Sequence, residues 1–125
     1  MLAGHFYTIR SIENKPGSTK AVLELNTAHA IFKGHFPQQP VVPGVCMMQI
    51  IKELVEQSIE FPLNLVRADE MKFLAIIDPV ANNIIEAALK YTTDDSQKIN
   101  VIASLAKDEL VYFKFKGSFT KQTAL

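Results

Sequence analysis

The chain predicts an α+β fold in which one antiparallel sheet curls around a single long helix. Three observations predict it. The periodicities run β-β-α-β-β-β-β, only one stretch carries helical spacing, and four of the strands alternate between apolar and polar positions.

His5 to Ile12 and Thr19 to Leu25 read as the first two strands, joined by a Pro16-Gly17 turn, with Ala21, Leu23 and Leu25 on one side. From Val45 to about Ser58 the apolar residues Met47, Met48, Ile51, Leu54 and Val55 cover most of a helical circumference. Gln49, Lys52, Glu53, Glu56 and Gln57 form a polar stripe. The first turn, Val45 to Met48, is apolar all round and is expected to be buried. After the loop Phe61-Pro62-Leu63-Asn64 come four strands: Leu65 to Leu74, Ile84 to Tyr91, Ile99 to Ala106 and Leu110 to Phe119. Ile85, Ala87, Leu89 and Tyr91 share a face. So do Ile99, Val101, Ala103 and Leu105, and likewise Val111, Phe113, Phe115 and Phe119.

At 125 residues the chain fits one domain, residues 1–125, that buries roughly two-thirds of its extended surface. Thirteen basic and thirteen acidic side chains cancel, so net charge points neither to nucleic acid nor to an anionic membrane. Cys46 is the single cysteine, which excludes an internal disulfide and a cysteine-based metal cluster. Met1 to Arg10 has no apolar signal-peptide core and no apolar run reaches transmembrane length, so we read the protein as cytoplasmic, without a membrane span.

The segment FKGHFPQQPVVPGVCMMQ, Phe32 to Gln49, carries the chemistry. Pro37, Pro40 and Pro43 fix their own φ and push the preceding residues toward extended geometry, so His35 stands on a stiff loop. Gly44 follows where the helix begins. A glycine there lets a ligand approach backbone amides that a helix start leaves unpaired, at the positive end of the helix dipole. A histidine beside such donors is a candidate base next to an oxyanion site.

His35-Phe36-Pro37, Pro40 and Pro43-Gly44-Val45 resemble in spacing the signature of the (3R)-hydroxyacyl-(acyl-carrier-protein) dehydratases, which have the hotdog fold. Weaker similarity extends to Met71-Lys72-Phe73 and the turn near Pro79. The resemblance implies that His35 acts as catalytic base, that the main-chain carbonyl of Val41 orients its imidazole, and that the Gly44 amide, with Val45 beside it, binds the thioester oxygen. It implies a homodimer whose two sheets join edge to edge, as itself or in higher oligomers of dimers, in which His35 of one chain faces Gln49 of the other. It implies no cofactor beyond the phosphopantetheine that carries the acyl group on an acyl carrier protein or coenzyme A.

Two positions depart from the family pattern. Gln49 stands where the family has its acid, and an amide cannot donate a proton to a leaving hydroxyl as a carboxylic acid can. Glu53, four residues on, stands where the family has glutamine. As a relocated acid it lies roughly 5 Å along the helix; beside Lys52, Glu56 and Gln57 it also reads as a surface charge. Gln38 replaces a family glycine and bears on the loop or tunnel mouth.

Each residue has a plainer reading. His35 alone would be a backbone-bonded loop residue, but the proline and glycine spacing outweighs this. His5 and His29 read as structural or exposed, Gln49 as either site-lining or the start of the solvated stripe, Cys46 as a small buried hydrophobe, and Met47 and Met48 as core or tunnel lining. Three functions follow: elimination of water from a 3-hydroxyacyl thioester in fatty-acid or polyene synthesis; non-catalytic acyl binding beside an active homologue in a heterodimer; and acyl thioester hydrolysis using Glu53. Lys33, Lys72 and Lys114 are candidate contacts for an acidic carrier, or ordinary solvated lysines.

Overall fold

The computed structural model describes residues 1–34 and 40–123. His35 and Gln38 lie outside the described residues, as does the contact between His35 and Val41.

Six strands form one antiparallel sheet: β1 Tyr7–Lys15, β2 Ser18–Leu25, β3 Leu63–Phe73, β4 Ile84–Thr93, β5 Ile99–Lys107 and β6 Leu110–Lys121, in the order β1-β2-β4-β5-β6-β3. Two helices precede β3, the short α1 Ala30–Gly34 and the long α2 Gly44–Ile59. One long helix against a curled antiparallel sheet is the hotdog arrangement.

The β1–β2 hairpin closes on Pro16 and Gly17. Proline presets φ at the first turn position, and Gly17 takes the positive φ of 74° that the second requires. β1 therefore runs to Lys15, beyond the predicted end at Ile12. It starts later than His5 because Gly4, with φ 84°, folds the first residues into a turn whose amide donates to the Tyr7 carbonyl. The five residues of α1 carry no amphipathic pattern long enough to show. Its start is marked by His29, whose Nδ1 accepts from the Ile31 amide at 3.1 Å while its ring meets Phe6 edge-on.

The helix packs on β3, β4 and β5 and supplies the centre of the core. Ile50, Ile51, Leu54 and Val55 are fully buried among Leu23, Ile85, Leu105, Phe113 and Phe119. Each such side chain contributes roughly 1.5–3 kcal/mol by leaving water. α2 ends at Glu60, which adopts the left-handed conformation with φ 63° and returns its amide to the Glu56 carbonyl.

Strand alternation holds in β2, β4 and β5 and breaks in β6. The pairing slips between Leu105 and Ala106, so Val111 is only half-buried and Tyr112 turns inward. The Tyr112 carbonyl then accepts from the amides of Leu74 and Ala75, anchoring the chain leaving β3. β3 itself carries two register shifts against β6, near Val66 and Asp69. Gly117 is needed there: a methyl group on it would lie 2.2 Å from the Arg67 carbonyl oxygen.

One packing expectation is corrected. The first turn of α2 is not buried all round: Cys46 and Met47 are, but Val45 is 79% exposed. Other large apolar residues are exposed too: Phe73, Leu74 and Ile76, and Leu65, Val66 and Met71 further along the edge strand β3.

Candidate functional site

Pro43 caps α2 with extended backbone, φ −62° and ψ 147°, and makes no side-chain cap to the first helical amides. The Cys46 and Met47 amides donate back to the Pro43 carbonyl, whereas the Gly44 and Val45 amides belong to the helix turn that has no intrahelical acceptor. Ahead of the helix, buried Val42 is pinned by its amide to the Ile77 carbonyl at 3.0 Å, and Val41 beside it is half-buried.

The Phe73 ring lies directly over Gly44. A methyl group there would sit 2.9 Å from the ring, so a larger residue would have to displace the Phe73 side chain. Phe73 stacks in turn on Phe113, with ring centroids 4.8 Å apart. Val42, Gly44, Met47, Phe73, Leu74 and Ile76 line an open apolar groove of about 460 Å³. Phe73 belonged to a recognisable triplet, but only the strand's path over the helix start gives it this role.

Gln49 does not line that groove. Five residues along a helix turn the side chain by roughly 140° from Gly44, onto another face. There its Nε2 donates to Glu53 Oε2 at 2.8 Å. Glu53 is not a surface charge: it is 3% exposed, covered by the N-terminal segment. Its carboxylate accepts from the Leu2 amide at 2.8 Å, the Ala3 amide at 2.8 Å and the Tyr7 hydroxyl at 3.1 Å. All four partners are donors, so both oxygens are engaged as acceptors. Burial first, and then the charge and hydrogen bond of Glu53, raise the Tyr7 phenol above its ordinary value.

Spacing four apart connected Gln49 with Glu53. No local signal connected either to Tyr7 or to the main chain at Leu2 and Ala3, which lie 46 to 51 positions away from Glu53.

Cys46 is buried, and that burial pushes its thiol up. Among the described residues, no three His, Cys, Asp or Glu side chains are grouped to hold a metal ion, and no helix is long and apolar enough to cross a membrane.

The 3-hydroxyacyl-(acyl-carrier-protein) dehydratase FabZ of Wolbachia pipientis wMel is 28% identical over 109 residues, covering 81% of this chain and 76% of that protein. Among solved structures, the dehydratase heterocomplex ApeI:P from Xenorhabdus doucetiae superposes with a TM-score of 0.67 at 19% identity, over 90% of this chain and 96% of that one. A sigma28-regulated virulence protein from Campylobacter jejuni gives 0.68 at 15% identity, over 95% and 85%. These likenesses support the hotdog fold. The family model of ApeI-like proteins, described as ApeI dehydratase, matches residues 11–111, and the chain belongs to that dehydratase family.

Proposed function

We propose that this protein is a (3R)-hydroxyacyl-thioester dehydratase-type hydro-lyase of fatty-acid or polyene biosynthesis, acting in the cytoplasm on acyl groups carried by an acyl carrier protein or coenzyme A. The observation that carries the reading is the start of α2. An apolar groove meets a helix end whose leading amides, at Gly44 and Val45, receive no side-chain cap from Pro43. Such amides stabilise negative charge developing on a thioester oxygen, and the groove accommodates an apolar chain.

In this reaction His35 removes the proton from C2, the electrons form the C2–C3 double bond, and the C3 hydroxyl leaves with a proton as water. Gln49 is not an acid, so the departing hydroxyl takes its proton from protonated His35 or from a second chain. Gln49 and Gly44 occupy different faces of α2, so a site using both draws them from two copies. The β3 edge, with Leu65, Val66, Met71 and Phe73 exposed, suits the joining of those copies strand to strand.

The test is hydration of an α,β-unsaturated acyl thioester, followed by loss of its absorbance. Turnover by the natural protein, abolished in His35→Ala, supports the reading. No turnover by the natural protein, with activity appearing only in Gln49→Glu, overturns it.

A second reading, a non-catalytic acyl-binding partner of an active homologue, is favoured by one observation. The residue at the acid position is an amide tied to a carboxylate that has three other donors. The similar Xenorhabdus chain belongs to a heterocomplex, and co-purification of this protein with a second hotdog chain would support that arrangement here. The same four bonds weigh against Glu53 as the water-activating carboxylate of a thioesterase; release of thiol from acyl thioesters would reinstate it.

A further inference from the structure

His35, the proposed base, follows in the chain directly on Gly34, the last residue of α1. A helix of five residues does not hold itself in place. α1 is held by its neighbours: Phe32 is buried, and its ring packs on that of Phe6 with centroids 5.1 Å apart. The His29 ring, whose Nδ1 accepts from the Ile31 amide, meets the same Phe6 ring edge-on at 5.4 Å. Phe6 is fully buried and does not line the groove beside Gly44.

Phe6 is itself fixed on both sides. Its amide donates to the Leu2 carbonyl at 2.8 Å, closing a turn, and its carbonyl accepts from the Asn26 amide at 2.8 Å. The Leu2 and Ala3 amides fasten that turn to Glu53 in the middle of α2. A continuous path of bonds and ring contacts therefore runs from α2 through the N-terminal turn to α1. The far end of the proline loop is held separately, by the Val42 amide on the Ile77 carbonyl at 3.0 Å.

We infer that Phe6 is a positioning residue for the base: through Phe32 and His29 it fixes where α1 delivers the chain to His35, with Glu53 supporting it from α2. This rests on the reading of His35 as the base of a dehydratase. Removing a proton from carbon needs the imidazole within close reach of it, and a displacement on the order of 1 Å costs up to about 10²-fold. Acyl binding draws on the groove at Gly44, which Phe6 does not line. Loosening Phe6 therefore reaches turnover and spares binding.

Steady-state hydration of an α,β-unsaturated acyl thioester by the full chain, with hydrogen exchange of the α1 amides measured alongside, tests this. Phe6→Leu keeps an apolar side chain but withdraws the ring from Phe32 and His29. It is expected to lower kcat about tenfold with KM within about twofold, and to speed exchange at the Ile31 and Phe32 amides. Phe32→Leu removes the same ring contact from the α1 side and is expected to give the same split, so misfolding of one variant leaves the other to decide. Val101→Ala controls for lost stability alone. Val101 is buried and pairs with Tyr91, whose amide donates to Gly17, at the opposite end of β2 from Asn26. At a temperature where every variant is folded, its kcat is expected to stay within about twofold of the natural value. An unchanged kcat in both leucine variants, an equal loss of kcat in Val101→Ala, or a rise in KM without a fall in kcat would overturn the inference, while turnover by the natural protein leaves the dehydratase reading standing. If the natural protein gives no turnover, the dehydratase reading falls and takes this inference with it.

Discussion

The side-chain amide of Gln49 donates to the carboxylate of Glu53 across 2.8 Å, one helical turn along α2. The same carboxylate fastens the beginning of the chain to the middle of the helix, so a bond at the candidate site is also part of what orders the N-terminus.

Removing that carboxylate is expected to be costly. Glu53→Leu leaves the Leu2 and Ala3 amides, the Tyr7 hydroxyl and the Gln49 amide facing an apolar side chain, and each buried unmet donor costs about 1–3 kcal/mol. Urea unfolding should show a loss of about 3 kcal/mol or more. Tyr7→Phe, which removes a single donor and leaves the Ala3 amide on Oε1, should cost about 1 kcal/mol.

Stability should fall in alkali. The folded state raises the Tyr7 phenol through burial and Glu53, and raises Tyr112 through burial and Asp108, so the unfolded chain loses these protons first. The stabilisation is complete below the ordinary phenol value near 10 and is lost as pH climbs above it. Urea midpoints measured from pH 8 to 11 should decline at the upper end, less steeply in Tyr7→Phe.

Gly44 and Phe73 form a matched pair. Gly44→Ala places a methyl group 2.9 Å from the Phe73 ring and should cost about 1–3 kcal/mol. Phe73→Leu in the same chain should recover part of it, and a double-mutant cycle would measure the coupling. If the two changes simply add, the ring does not bear on the helix start.

Cys46 should react slowly with thiol reagents in the native protein, because it is buried and its thiolate is disfavoured. Labelling at pH 8 should accelerate many-fold in denaturant. Rapid native labelling would show that the first turn of α2 opens.

The layout was legible because each strand of β2, β4 and β5 puts its apolar residues on alternate positions, as with Ile99, Val101, Ala103 and Leu105. Alternation failed at Tyr112, where a bulge changes the parity of the strand after Val111, and no composition cue marks the extra residue. Val45 looked like core because its neighbours are; helical spacing cannot say which side lacks a sheet. Glu53 looked solvated because its stripe is polar, and the segment that covers it lies some fifty residues earlier. The start of α2 was readable to within one residue from Pro43 and the apolar run after it, whereas the ring above Gly44 comes from a strand that local pattern does not orient.

The strand order has a consequence for biosynthesis. β3 is made third but bonds only to β6, with Leu63 opposite Lys121, so the stretch from Leu63 to Phe73 leaves the ribosome long before its hydrogen-bonding neighbour exists. Until then its backbone and its greasy side chains, Leu65, Val66 and Met71 among them, have no mate within the same molecule. A nascent chain stalled before Leu110 would therefore present a sticky ribbon to chaperones or to other ribosomes' products, and β3 joins the sheet only once β6 has been translated.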